Sequence, residues 1–402
     1  MKYLLLKNGN IVQNQEFLTG DILIGNNRIM ETGSDIRIPT PDTEVFDVSN
    51  KYVLPGLIHY DCTFLKSDIN ESSESAIYIA LSHGATFLID TIKLRDDVDF
   101  QETIRWARES CKPIIADYGF HLRAFTCNRV SFNDIIKSFT LEGITSYFIK
   151  WKDIEKLEDD HVDQLFMLAA KFKLLVICKL DRTEVADAEQ KQLQNTVYLE
   201  RIGKILSVLK KYRCSFLFLN VASREELNLI FSDKELNDSV YASVNLCCSD
   251  EISDKLSYEN LDELWENKNV LLCPPSLITP NSKKSHFIEN SKSLSFLSDL
   301  LDDKKRINEN MLVKACEMYA ARPSKLLGIS PQKGNLERGA DADIIIWNPF
   351  KPNLLKSIGT NTSILRKDIN AVIVNGKVIT DEIYATLHSL DGRYIYRNPI
   401  LI

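Results

Sequence analysis

The sequence predicts an α/β fold: a (β/α)8 TIM-type barrel, allowing for distortion or shortening, joined to a small discontinuous β-sandwich. Three observations carry this expectation. Both ends of the chain read as short strands, and the middle alternates apolar strands with amphipathic helices. Fully apolar strands alternating with helices indicate a parallel sheet covered by helices. The 402 residues then accommodate one barrel of about 250 residues and a smaller unit.

The first fifty residues set "KYLLLKN" against "GN", "DILIGN" against "NR", and then "RIMETG". Asn-Gly and Asn-Asn suit turns that need positive φ, so this stretch predicts strands joined by tight turns. From Pro55 the candidate strands are "ATFLIDT", "PIIADYGF", "ITSYFIKW", "KLLVICKL", "SFLFLNV" and "VYASVNL". Helical patterns lie between them, including "DFQETIRWARES" and "EDDHVDQLFMLAAKF". In the latter, Val162, Leu165, Phe166, Leu168, Ala169 and Phe172 recur at roughly helical spacing. An open doubly wound sheet is the competing fold, but no Gly-x-Gly-x-x-Gly follows any strand. A helix in "NENMLVKACEMYAARPSKLLGI" precedes the return to β texture in "ADIIIWNP" and "INAVIVNGKVI". Residues 1–54 and 331–402 are therefore expected to share the sandwich, with the barrel at 55–330. The Ser/Lys/Asn-rich "TPNSKKSHFIENSKS" reads as a mobile loop.

A hydrophobic content of 44% with 26% charged residues describes a globular chain. The net charge of −7 gives no overall field favouring nucleic acid or an anionic membrane, so neither is expected as a partner. No stretch approaches the roughly 20 apolar residues that span a bilayer, and "MKYLLLKNGN" lacks the form of a signal peptide. Nine cysteines without CxxC spacing fit a reducing cytoplasm better than a disulfide framework. Adjacent Cys247 and Cys248 are read as core residues, with a redox pair as the alternative.

Several segments carry a resemblance. The C-terminal "ARPSKLLGISPQKGNLERGADADIIIWNP", the opening "LLLKNGNIV", "DILIGNNRIMETG" and "EVFDVSNKYVLPGLI", and the internal "DYGFHL", "EGITSYFIKWKD" and "CPPS" together cover most of the chain. They resemble the amidohydrolase superfamily, in its dihydropyrimidinase, hydantoinase and dihydroorotase branch. The resemblance implies hydrolysis of cyclic amides by hydroxide formed between two divalent metals, zinc being the expected ion. It also implies ligands from two histidines after the first barrel strand, a carbamylated lysine, two later histidines and an aspartate.

This sequence departs from that pattern at every position. On "PGLIHYDCT", His59 falls at the pattern's aspartate, Asp61 at its first histidine and Thr63 at its second. Phe148 of "GITSYF" stands where lysine is expected, Cys178 of "CKL" at the third histidine and Asn220 of "NVAS" at the fourth. No Asp-His pair occurs between Pro275 and Ala321 to supply the last aspartate. Phe, Thr and Asn offer no strong ligand to a zinc-type ion, so no metal or other cofactor is expected.

Smaller arrangements remain to be weighed. His59 and Asp61, two apart on an extended segment, would share a face, and Cys178 could add a third ligand to a single ion. A polar cluster facing the core is the favoured reading. Lys150, two residues beyond Phe148, is either a solvated strand-end lysine or an anion-binding group. His121 with Asp117 in "DYGFHL" reads as structural. Two functions follow: a metal-free scaffold or assembly subunit, or an active hydrolase of a cyclic amide with a rebuilt site. The resemblance supplies precedents for the first in collapsin-response mediator proteins and in inactive dihydroorotase-like subunits. It also implies a homo-oligomer, with a further protein partner of unknown identity.

Overall fold

The computed structural model describes residues 2–13, 16–65, 80–81, 83–94, 99–112, 114–123, 132–156, 159–180, 188–244, 265–272, 308–349, 368–380 and 392–399. Cys247, Cys248, the "CPPS" segment and the Ser/Lys/Asn-rich loop lie outside them.

Two eight-stranded sheets organise these residues. The first is mixed and draws on both ends of the chain: β1 (Tyr3–Gln13), β2 (Glu16–Gly25), β3 (Arg28–Gly33), β4 (Glu44–Asp47) and β5 (Tyr52–Pro55), then β14 (Ile344–Trp347), β15 (Ile369–Val374) and β16 (Lys377–Ile379). β14 joins the two halves by pairing antiparallel with β5 and β15. Its alternation decides which side chain goes where. Ile344 and Ile346 enter the core of the sheet itself, while Ile345 and Trp347 face the core shared with the barrel.

Asn26–Asn27 makes the expected tight turn, with both residues at positive φ. Asn8–Gly9 does not. β1 runs straight through it with a register shift between Leu6 and Gly9, so the positive φ of Asn8 serves a bulge. The bend lets one edge of β1 pair with β4 in its first half and with β5 in its second. Only glycine fits there, because a Cβ on Gly9 would lie 2.7 Å from Val53 and 2.9 Å from Val48.

The second sheet is parallel throughout and runs in chain order: β6 (Leu57–Cys62), β7 (Ala85–Lys93), β8 (Asp117–Arg123), β9 (Ser146–Lys150), β10 (Leu175–Lys179), β11 (Phe216–Val221), β12 (Val240–Val244) and β13 (Val270–Leu272). Helices alternate with these strands: α1 (Phe100–Ser110), α2 (Phe132–Leu141), α3 (Asp159–Phe172), α4 (Ala188–Tyr212) and α5 (Arg224–Ile230). This is the (β/α)8 TIM-type barrel. Within α3, Leu165, Phe166, Leu168 and Ala169 are buried, and Val162 and Phe172 are partly buried against the same core. The sheet curls until the Tyr60 hydroxyl of β6 donates to Ser243 Oγ of β12 at 2.9 Å. A π-helical turn, Glu317–Ala321, packs against both β6 and β13, the two ends of the hydrogen-bonded order.

Each barrel strand is buried on both faces. Ile58, Tyr60, Phe87, Ile89, Phe148, Leu175, Ile177, Leu217, Leu219 and Leu271 fill the interior. Their sequence neighbours, such as Leu88, Phe120, Ile149, Val176 and Phe218, meet the helices. Leu326, Leu327, Ile329 and Ile395 join the interior cluster from chain segments beyond the strands. Residues 392–399, expected in the sandwich, lie instead against the barrel. Tyr118 and Tyr394 form a parallel bridge, Ile395 N–H donates to the Tyr118 carbonyl, and Arg397 donates to the Phe120 carbonyl and Ser146 Oγ.

Candidate functional site

In barrels of this kind ligands sit at the C-terminal ends of the strands, here the mouth, and conservation at the opposite end serves stability. The seven sequence-singled residues distribute unevenly with respect to that mouth.

His59 is 1% exposed and its ring receives the Asp61 backbone N–H at 3.4 Å. The register between β6 and β7 shifts between His59 and Cys62. This irregularity breaks the alternation, so the expected shared face for His59 and Asp61 is not formed. The Asp61 carboxylate reaches Lys179 Nζ at 2.5 Å, with side-chain exposures of 8% and 19%. β6 and β10 are the first and fifth of eight strands, on opposite sides of the barrel, so this ion pair straddles the mouth. Thr63 follows β6 and is exposed. Its neighbours are fixed by Asp90, whose carboxylate accepts the backbone N–H groups of Phe64, Leu65 and Thr91, each at 2.5 Å. Burial pushes the Asp90 carboxyl up to about 7, against the lowering influence of those three amides.

Phe148 points into the barrel and stacks on His121, with ring centroids 5.9 Å apart. His121 is wholly buried between Ser146 Oγ at 2.5 Å and the Tyr60 carbonyl at 3.0 Å. Burial, reinforced by the Arg397 cation, holds its pKa well below the usual imidazole value, so it is neutral at pH 7. Lys150 ends β9 two residues beyond Phe148 and is half-buried. Cys178 is fully buried in the layer beneath the helices, not in the barrel, which removes it from any set with Asp61. The inward residue on β10 is its neighbour Lys179, which sequence reasoning passed over. Asn220 sits at a bulge in β11 with φ +69°.

The opposite end carries a different construction. Asp117 begins β8, and Lys333 Nζ lies 2.7 Å from its carboxylate, 3.2 Å from Asp341 and 2.5 Å from Asp343. Arg393 adds contacts of 2.7 Å to Asp117 and 2.6 Å to Asp341, and Arg28 lies 3.8 Å from Asp341. Three cations thus face three carboxylates. Asn375 donates to Asp117 through its side chain and to Asp343 through its backbone. Burial raises the Asp117 pKa, but Lys333 and Arg393 outweigh it and hold the carboxyl below its usual range. Burial pushes Lys333 down, and the three carboxylates more than reverse this. Asp343 is pushed up by burial and by Asp117, despite Lys333. Gly334 follows Lys333 at φ +80°, and a Cβ there would lie 2.5 Å from the Ala320 carbonyl. Among the described residues, these three aspartates form the one group of three or more acidic, histidine or cysteine side chains with ligand atoms within 4.8 Å of one another, and Lys333, Arg393 and Arg28 already pair with them.

The comparisons with known proteins agree with this architecture. A family model described as "Amidohydrolase family" matches residues 52–379. A D-hydantoinase of Geobacillus stearothermophilus is 23% identical, the match covering 98% of this chain and 93% of that protein. Dihydropyrimidinase-related protein 5 of Rattus norvegicus is 22% identical, covering 91% and 74%. The crystal structure of dihydropyrimidinase from Brevibacillus agri superposes with a TM-score of 0.76 at 18% identity, covering all of both chains.

Proposed function

Because this chain belongs to the amidohydrolase family, we propose that it is a member which has given up the binuclear metal site and acts as a non-catalytic scaffold or assembly subunit. The observation that carries this reading is the Asp61–Lys179 ion pair across the mouth. A metal pair needs several neutral imidazoles and carboxylates directed at one point. Here the one inward carboxylate among the seven singled-out residues is bound to an ammonium, Phe148 fills the barrel beneath, Cys178 faces outward and Asn220 offers only an amide. These residues do not fit two divalent ions, and no hydrolytic step is derived through them.

Related names support the class of chemistry from which the chain descends: the hydantoinases hydrolyse cyclic amides by name, and dihydropyrimidinase-related protein 5 is named for its relation to such an enzyme. The test is direct. Purified, metal-supplemented protein is assayed with dihydrouracil, hydantoin and dihydroorotate while its zinc content is measured by elemental analysis. The expected result is no stoichiometric zinc and no turnover. Turnover of any of the three would replace the scaffold reading with a hydrolase whose site has been rebuilt. Asn220→His, which restores a single imidazole, is expected to remain inactive on all three substrates.

A further inference from the structure

Four consecutive barrel strands end in a basic residue: Lys93 on β7, Arg123 on β8, Lys150 on β9 and Lys179 on β10. Their registers align in pairs, Lys93 opposite Arg123 and Lys150 opposite Lys179, while Leu122 opposite Tyr147 sets the second pair two residues farther along than the first. Alternation puts all four on the interior side of their strands. Lys93 follows Phe87 and Ile89, Lys150 follows Phe148, Lys179 follows Leu175 and Ile177, and Arg123 shares its parity with His121. Neighbouring strands lie about 4.8 Å apart and two residues of strand span about 6.6 Å, so the four ends form a stepped arc around one side of the mouth, Lys93 and Arg123 lower and Lys150 and Lys179 higher.

Two carboxylates meet this arc: Asp61 on Lys179 and Asp153 on Arg123, both at 2.5 Å. Of the four cations, Arg123 and Lys179 are paired with these carboxylates, whereas the chain as a whole carries a net charge of −7. Neither Lys93 nor Lys150 has an acidic partner among the described residues. Two further carboxylates follow barrel strands, Asp90 and Glu226, and each accepts backbone amides rather than a described Lys93 or Lys150 ammonium. A cleft lined by one sign of charge above a low-dielectric interior concentrates field at its opening.

We propose that the mouth of this barrel is a binding site for a small oxygen-rich dianion, held chiefly by Lys93 and Lys150, with the carboxylate-paired Arg123 and Lys179 beside them. Side-chain cations stand in this inference where the family resemblance implies metal cations. The inference does not depend on the protein being inactive, because it rests on the placement of the four bases alone. Inorganic phosphate and a dicarboxylate such as succinate share the required chemistry and serve as the two probes.

Calorimetric titration of the full chain, pretreated with EDTA, tests the site. Saturable binding of phosphate or succinate with a Kd of about 1 mM or tighter is expected at low salt. It should weaken at least tenfold in Lys150→Met and further in Lys93→Met/Lys150→Met, and fall as ionic strength rises. The probe that binds more tightly identifies the anion. Lys93→Met alone changes an exposed residue, so it provides a folded variant if changes at Lys150 disturb the barrel. Absence of saturation with both probes, or equal affinity in the double variant, overturns the proposal. Binding that vanishes with EDTA treatment also overturns it, and elemental analysis of the untreated sample separately reports on the loss of the metal site.

Discussion

The two ends of the barrel solve the problem of charge in different ways. At the floor, Lys333 is 1% exposed at its side chain and touches three carboxylates, with Arg393 and Arg28 completing the balance. At the mouth, ion pairs are partly open to water, and two lysines carry no described acidic partner. The floor joins the family-signature segment "KGNLERGADAD" to β8, which lies more than two hundred residues earlier in the chain. Its groups are interdependent, since removing any one strands others in a low-dielectric interior. At the mouth the interdependence is limited to pairs, Asp61 with Lys179 and Asp153 with Arg123. The difference teaches that charge buried at the floor ties distant segments together as one network, whereas charge at the mouth is held in separate pairs.

The largest effect expected from this contrast is at the floor. Lys333→Met leaves three buried carboxylates facing one another and should cost about 3 to 5 kcal/mol in urea unfolding, or prevent folding. If it costs less than a change at the mouth, the contrast fails.

Next in size is a difference in pH response. Asp90 near the mouth has a folded pKa raised to about 7 from 3.8, so the folded state holds the extra proton. Its contribution is fully present below about pH 3.8, declines as pH rises toward 7 and is flat above. Asp117 at the floor is shifted the opposite way, so its contribution is present at neutral pH and is lost as pH falls below the ordinary carboxylate range. Urea midpoints followed between pH 4 and 7 should therefore show a descending component in the wild type that Asp90→Asn removes. An unchanged slope in that variant would remove Asp90 as its source.

A smaller effect belongs to the bridge itself. Lys179→Met strands Asp61, which is 7% exposed, and should destabilise by about 1 to 3 kcal/mol. Asp61→Asn/Lys179→Met should recover much of this loss, because neither charge is then left alone. A double variant as unstable as the single one would show that the bridge is not the coupling between these residues.

Much of the fold was legible in the residues. Apolar runs bounded by helical patterns predicted six of the barrel strands, although "PIIADYGF" was placed early: β8 begins at Asp117 and continues through His121 to Arg123. The Asn-Asn turn was legible because positive φ is a local demand. Asn8–Gly9 makes the same local demand, yet it became a bulge because Val48, just after β4, and Val53 of β5 pack against Gly9.

At the site, the direction of side chains was the missing information. A barrel strand is buried on both faces, so "LLVICKL" shows no polar alternation to mark its inner side. Cys178 and Lys179 therefore could not be assigned to inside or outside from their neighbours. The strand-end position of Lys179, after Leu175 and Ile177 at the same parity, was the one available signal. Bulges at His59–Cys62 and at Leu219–Val221 shifted the faces of two further strands. Asp341 and Asp343 stood out within a recognisable segment, but nothing local named Asp117 and Arg393 as their partners.

The sequence alone determined the order of strands and helices and the β character of both ends. These follow from local propensity, apolar periodicity and residue chemistry. Tertiary structure decided which strand faces look inward, how Asp61 met Lys179 across the barrel, and how the floor charges were balanced. Those outcomes depend on register and on contacts between residues far apart in the chain, where a shift of one position exchanges the two faces of a strand.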